Sequence, residues 1–294
     1  MSDPDTTFAI QRILVALDSS PQSQAALEIA VDLAAKMEAE LSGLFVEDVN
    51  LLRMADSPSA REIAYPAATE TPLSWSIMEC KLRAQSEQIR NTLAAAAHRA
   101  QIRWSFRTVR GQVTSALREA AGQNDIVAIG RLGWSFGRRI GSTALELATS
   151  SIPLLLISQR AVLGNLRLLV YYDGSPASKN AFLVTAKLAR AGANGITVLV
   201  STADYEYKLE EIQNLLQGQA LEVRCRRIDL SEEMSLLRAV KEEGAVLLVL
   251  AGRQLLKASE AFEALLREVQ VPLLLLGDGP EERFVARAGL DRAP

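Results

Sequence analysis

The sequence has a single histidine, His98, and only two cysteines, Cys80 and Cys225, in 294 residues. The cysteines fall in different halves without CxxC or metal-ligand spacing, so neither a disulfide framework nor a zinc site is suggested, and a reducing cytoplasm is the expected setting. His98 lies in an alanine-rich helical stretch with no second histidine to complete a metal site, and it reads as structural, not catalytic. Net charge is also scarce. A formal charge of −3 and a pI near 5.5 leave no basic excess of the kind that draws a protein to nucleic acid or to anionic lipid. No apolar run approaches the ~20 residues needed to cross a bilayer, and the polar, acidic stretch 1–8 lacks the basic-then-apolar order of a secretory signal. Aromatic residues make up 5% of the chain, and Trp75, Trp104 and Trp134 read as core or contact residues. The partners that remain are small molecules and proteins.

What is present is a duplication. Residues 13–33 align without gaps on 168–188, and Asp18, Ser20, Pro21, Ser23, Ala26 and Leu33 fall on Asp173, Ser175, Pro176, Ser178, Ala181 and Leu188. Each copy opens with a short apolar run, 13–17 and 168–172. Without polar alternation, such a run reads as a strand buried on both faces. Ser20 can then cap the free amides of a helix whose first turn accepts Pro21, and apolar residues recur beyond it at helical spacing. Further strands are expected at 41–46, 103–109, 126–129 and 154–157 in the first copy. In the second they are expected at 195–200, 222–228, 245–250 and 273–276, with helices between. Alternating strands and helices of these lengths imply an α/β chain made of two doubly wound parallel-sheet sandwiches in tandem. The expected units are 8–160 and 165–278, with a polar tail, 279–294, that is expected to be poorly ordered. Only the first copy carries a long insertion, 50–77, rich in proline, which reads as a lid or contact element or as a mobile loop.

After the fourth strand of the first copy the chain reads Gly130-Arg131-Leu132-Gly133, and seven residues later Gly141-Ser142-Thr143 opens a helix. Glycines at a strand end let backbone amides approach an anion, and a helix start adds free N–H groups at the positive end of its dipole. Arg131, Arg138 and Arg139 lie in the same stretch with no acidic residue before Glu146, so the local field suits phosphate. A GxxG alone usually marks only a turn. Its position is more telling: if strand one neighbours strand four, Asp18 and Gly130 flank the crevice where open α/β sheets bind ligands. No GK[ST] follows, so a P-loop ATPase is not implied. In the second copy the equivalent stretch, 251–259, has no GxxG and no Gly-Ser helix start, and Glu260 and Glu263 follow it, so that copy reads as having lost the site.

The opening ILVALDSSPQSQAALEIAVDLA, the segment LFVED, the loop IVAIGRLG, the GST helix start and the ending SIPLLLI resemble the universal stress protein family in its tandem form. The resemblance implies strand order 3-2-1-4-5, frequent dimerisation and, in one subgroup, ATP binding through a GxxG loop, a nine-residue spacer and a Gly-Ser/Thr pair. The spacer here, 134–140, is two residues shorter. By resemblance Asp18 and Val46 sit near adenosine, and Gly130, Gly133, Gly141, Ser142 and Thr143 hold the phosphates, with Ala16 and Arg131 completing the candidate set. The resulting expectation is a cytoplasmic stress-response protein that binds one ATP per chain, with Mg2+ as a possible companion held at Ser142 and Thr143, in its first domain only. It would act as a regulatory module on unidentified protein partners, as a homodimer, with no resident metal site. No general base is marked, so at most a slow ATPase is implied. The alternative is an interaction or small-ligand protein without nucleotide, in which both loops are structural.

Overall fold

The computed structural model describes residues 10–64, 69–131, 141–148, 150, 152–158, 167–191, 195–216, 221–229, 234–251 and 260–277. The expected tail 279–294, and with it Gly133, Arg138, Arg139 and the stretch 252–259, lie outside these residues.

The first half runs β1 (Arg12–Leu17), α1 (Pro21–Met37), β2 (Glu40–Asp48), α2 (Val49–Ala55), β3 (Arg61–Ala64), β4 (Thr69–Pro72), α3 (Trp75–Ala100), β5 (Trp104–Gly111), α4 (Val113–Ala121), β6 (Ile126–Gly130), α5 (Ser142–Ala148) and β7 (Leu154–Ile157). The second runs β8 (Leu168–Tyr172), α6 (Pro176–Arg190), β9 (Ile196–Ser201), α7 (Tyr205–Leu215), β10 (Val223–Ile228), α8 (Ser235–Glu242), β11 (Leu247–Ala251), α9 (Glu260–Glu268) and β12 (Leu273–Leu276). Every strand expected from the sequence is present within a few residues.

The main sheet has ten strands in the order β10-β9-β8-β11-β12-β7-β6-β1-β2-β5. Each half therefore shows the order 3-2-1-4-5 once the inserted hairpin β3-β4 is set aside. Every pairing in the main sheet is parallel except one. β7 and β12 run antiparallel, with Leu154 opposite Leu275, Leu155 opposite Leu274 and Leu156 opposite Leu273. Leu155 and Leu274 hold the same place in their respective halves, so this pair marks a pseudo-two-fold axis. The two tandem sandwiches are thus joined edge to edge into one mostly parallel sheet.

The strands carry apolar side chains on both faces because helices cover both. Ile13, Val15 and Leu17 of β1 point into one core with α1 and α3, while Leu14 points into the other with α4 and α5. In β8, Val170 and Tyr172 take the first direction and Leu169 and Tyr171 the second. Each core continues from one half into the other. This continuity follows from the β7–β12 junction, which leaves no polar gap in the middle of the sheet.

The insertion 50–77 forms structure of its own: the short helix α2, the two-stranded β3-β4 hairpin and the first residues of α3, which starts at Trp75. Leu52 and Ala55 seat α2 in the core. Leu51, Met54, Ile63, Trp75 and Ile77 stay exposed.

Candidate functional site

At the carboxyl end of β1 the chain makes a hydrogen-bonded turn that starts α1. Ser20 N–H donates to Asp18 Oδ1 at 2.8 Å, Ser23 N–H donates to Ser20 Oγ at 3.1 Å, and Ser23 Oγ donates to the Asp18 carbonyl at 2.6 Å. The first-turn amides of a helix have no partners inside the helix, and Ser20 supplies one from its cap position. Asp18 is fixed by the same turn, with its backbone held at the strand end.

β1 pairs directly with β6, so Asp18 and Gly130 flank one crevice, at the point where the winding of the sheet reverses. The crevice has a volume of about 340 Å3, inside the range of small-molecule sites. Its lining is mixed: apolar from Ala16, Leu17, Leu44, Val46, Val113, Leu117, Ile129 and Ala144, and polar or glycine from Asp18, Ser20, Ser23, Gly130, Gly141, Ser142 and Thr143. The structure thus brings together Ala16, Asp18, Val46, Gly130, Gly141, Ser142 and Thr143 of the sequence-derived set. Gly133 lies outside the described residues.

Arg131 is elsewhere. Its guanidinium is buried and donates to the carbonyls of Leu266, at 2.9 Å, and Val269 in the second half. Burial holds its pKa below the ordinary arginine value. Alternation along β6 puts Arg131 on the face of Ile129, the face that α9 also covers, and its long side chain runs along that face to the end of α9 instead of lining the crevice.

Gly130 has a packing reason to be glycine. A Cβ there would stand 2.8 Å from Gln22 Cβ and 3.1 Å from the Gln22 carbonyl carbon, in the first turn of α1. The glycine lets α1 lie close to β6, which draws the Asp18 turn against the strand end. Leu44, Val113 and Leu117, which sequence reading did not pick out, build the apolar wall. The signal for them was present in the outward period of β2 and in the helical spacing of 113 and 117.

The second half repeats the turn with different side chains around it. Ser175 N–H donates to Asp173 Oδ1 at 2.9 Å and Ser178 N–H to Ser175 Oγ at 3.2 Å, matching the two backbone-amide bonds of the first turn. Burial, the largest influence on Asp173, pushes its pKa up, but the hydrogen bonds from Ser175 and Ser178 outweigh it and the net displacement is downward. The strand registers place Tyr171 where the first half has Ala16, Ser201 where it has Val46, and Ala251 where it has Gly130. Tyr171 is 5% exposed and its hydroxyl is hydrogen-bonded to Ser201. Burial, with Asp173 nearby, raises that phenol's pKa to about 12. Gly174, at φ 84, takes the place of Ser19, and the buried Lys208 packs against it, donating to Ser201 Oγ at 2.6 Å. Among the described residues, a phenol ring and a lysine stem thus lie beside the second turn, where the first half has the methyl of Ala16.

Among the described residues no cluster of His, Cys, Asp and Glu could hold a metal ion, and no helix is long and apolar enough to cross a membrane.

Comparison of the sequence with curated proteins finds no match. Among solved structures, a universal stress protein from Archaeoglobus fulgidus DSM 4304 is similar over 92% of this chain and 100% of its own, at 16% identity and a TM-score of 0.72. The cytoplasmic domain of a prokaryotic cation chloride cotransporter is similar over 95% of this chain and 100% of its own, at 12% identity and a TM-score of 0.56. A universal stress protein solved in complex with cAMP aligns with 51% of this chain and 98% of its own, at 21% identity and a TM-score of 0.34. At these identities the first two likenesses, with TM-scores above 0.5, speak to the fold alone. The model of the Universal stress protein family matches residues 9–158. That segment spans more than half of the chain and contains the whole crevice, and on this match the protein belongs to the universal stress protein family.

Proposed function

We propose that the first half binds one adenine nucleotide, ATP, in the crevice between β1 and β6, and that the protein acts as a cytoplasmic, nucleotide-responsive regulatory module in the stress response. The observation that carries this reading is the contrast between the halves. They share fold, strand order and the Asp-x-Ser turn, yet where the first has the methyl of Ala16 and the bare Gly130, the second has the phenol of Tyr171 and the methyl of Ala251. The first half holds a crevice of about 340 Å3 at that point of the sheet. Its lining also combines what a nucleotide needs. The apolar side chains of Leu44, Val46, Val113, Leu117 and Ile129 suit a base, and the glycines and hydroxyls of Gly130, Gly141, Ser142 and Thr143 suit phosphates, with Mg2+ bridging them to the hydroxyls.

The second half pairs its β12 with β7 and so stands where a second subunit could add its own edge strand. Signalling would run from the occupied crevice to a surface read by another protein, and two chains pairing into a homodimer is part of the same reading. The test is a thermal-unfolding titration with ATP and Mg2+. A ligand that binds only the folded state raises stability by about 2.7 kcal/mol at a hundredfold excess over Kd. A rise in melting temperature that saturates with ATP supports the reading. No rise, together with protein purified free of nucleotide, refutes it.

The exposed apolar side chains of the insertion favour a second reading, an interaction protein without nucleotide in which both loops are structural. Leu51, Met54, Ile63, Trp75 and Ile77 all come from or adjoin that one segment. Gly130, explained by the close approach of Gln22, needs no ligand in this reading.

A further inference from the structure

Arg131 starts in the first half and ends in the second. It is 6% exposed, and its Nη1 donates to the carbonyls of Leu266 and Val269, the last acceptors of α9. The final carbonyls of a helix lack partners within it and carry the negative end of its dipole, so a guanidinium is well matched to that place. The backbone of the same residue closes the crevice rim. Its N–H donates to the Ile157 carbonyl at 2.8 Å, and its carbonyl accepts from Gly141 N–H at 3.1 Å. One residue therefore ties together the ends of β6 and β7, Gly141 on the crevice wall, and α9 of the other half.

The link runs one way. The sheet registers make Leu147 and Ser150 the counterparts of Leu266 and Val269. In the first half Ser150 Oγ donates to the Leu147 carbonyl at 2.6 Å, so the helix end is served locally. Val269 has no hydroxyl, and Arg131 arrives from across the junction. The residue at the Arg131 position in the second half is Gly252, which has no side chain to return the contact. Among the described residues the guanidinium contact runs from the first half, and it starts at the residue next to the crevice wall.

The geometry points to Arg131 as a positioning residue: by fastening Gly141 and the end of β6 to α9, it makes the binding competence of the first half depend on the second. The affinity part of this inference rests on the nucleotide reading above. The anchoring part does not. Arg131 does not line the crevice, so its effect on a ligand passes through Gly130 and Gly141.

The test uses the full chain carrying Arg131→Ala together with Val269→Ser. The new serine gives the Leu266 carbonyl the local donor that Ser150 gives Leu147, so the helix end is satisfied while the link is gone. Arg131→Ala alone shows, by its lower melting temperature, whether that replacement works. Two quantities are read: amide hydrogen exchange at Gly141 without nucleotide, and ATP affinity by calorimetry. The double variant is expected to exchange Gly141 about tenfold faster and to bind ATP about tenfold more weakly, the scale of one lost hydrogen bond to a charged group. Arg131→Lys, which keeps the charge without the fork, is expected to fall between. Unchanged Gly141 exchange in the double variant overturns the inference, as does unchanged ATP affinity. A wild-type chain that binds no ATP refutes the nucleotide reading instead, and exchange at Gly141 then decides the anchoring by itself.

Discussion

At the scale of single residues, the difference between the halves comes down to what stands on the inner face at the end of the first strand. Ala16 and Tyr171 share one register position, and the exchange of methyl for phenol decides whether the strand end is open. This was legible in the aligned copies, yet the hydrophobic pattern hides it, because alanine and tyrosine both fit an inward apolar position. Arg131 shows the opposite limit. Composition places a cation beside a glycine loop, but the direction in which a side chain leaves a strand depends on register, and here it leads to α9. Tyr171 also has a consequence in alkali. Its pKa in the folded chain is about 12 against an ordinary 10.0, so the folded state holds its proton where the unfolded state releases it. Stability is therefore lost as pH rises from 10 toward 12. Tyr171→Phe removes this contribution, and denaturant titrations should show a shallower decline over that window than in the wild type. Equal slopes would mean that the ring is not buried as described.

At the scale of elements, the two Asp-x-Ser turns make a matched pair. Ser20 and Ser175 cap α1 and α6 through the same bond, at 3.1 and 3.2 Å. Replacing either by alanine is expected to cost about 1 kcal/mol, the usual loss for a serine cap. Chemical denaturation of the two variants should give equal losses, and a much larger loss at Ser20 would show that its turn does more than start the helix. The duplicated β-α opening was legible because strand, cap and apolar stripe all agree with one fold. The insertion was not. β4, Thr69–Pro72, is polar without alternation, and β3 pairs only with it, so neither carries a core-facing period for sequence reading to find. The register of β12 against β7 was equally hidden, since runs of leucine pair as well in either direction.

At the scale of the whole molecule, that antiparallel junction turns two repeats into one sheet with two continuous cores. Leu274 is fully buried at the pseudo-two-fold axis, opposite Leu155. Leu274→Ala is expected to cost about 2–5 kcal/mol and to lower a single unfolding transition, because the cavity opens where both halves pack. Two separated transitions in calorimetry would show that the halves fold independently. The same unity gives the second half a structural part of its own: it completes the sheet and holds α9 for Arg131. The central claim is the asymmetry itself, one nucleotide site per chain, open because of Ala16. Native mass spectrometry of the full chain with ATP and Mg2+ tests it most directly, comparing the wild type with Ala16→Tyr/Val46→Ser, which gives the first half the side chains that fill the second. The account predicts one nucleotide per wild-type chain and none in the variant, with the variant still folded. Two nucleotides per wild-type chain, none, or one retained by the variant would contradict it.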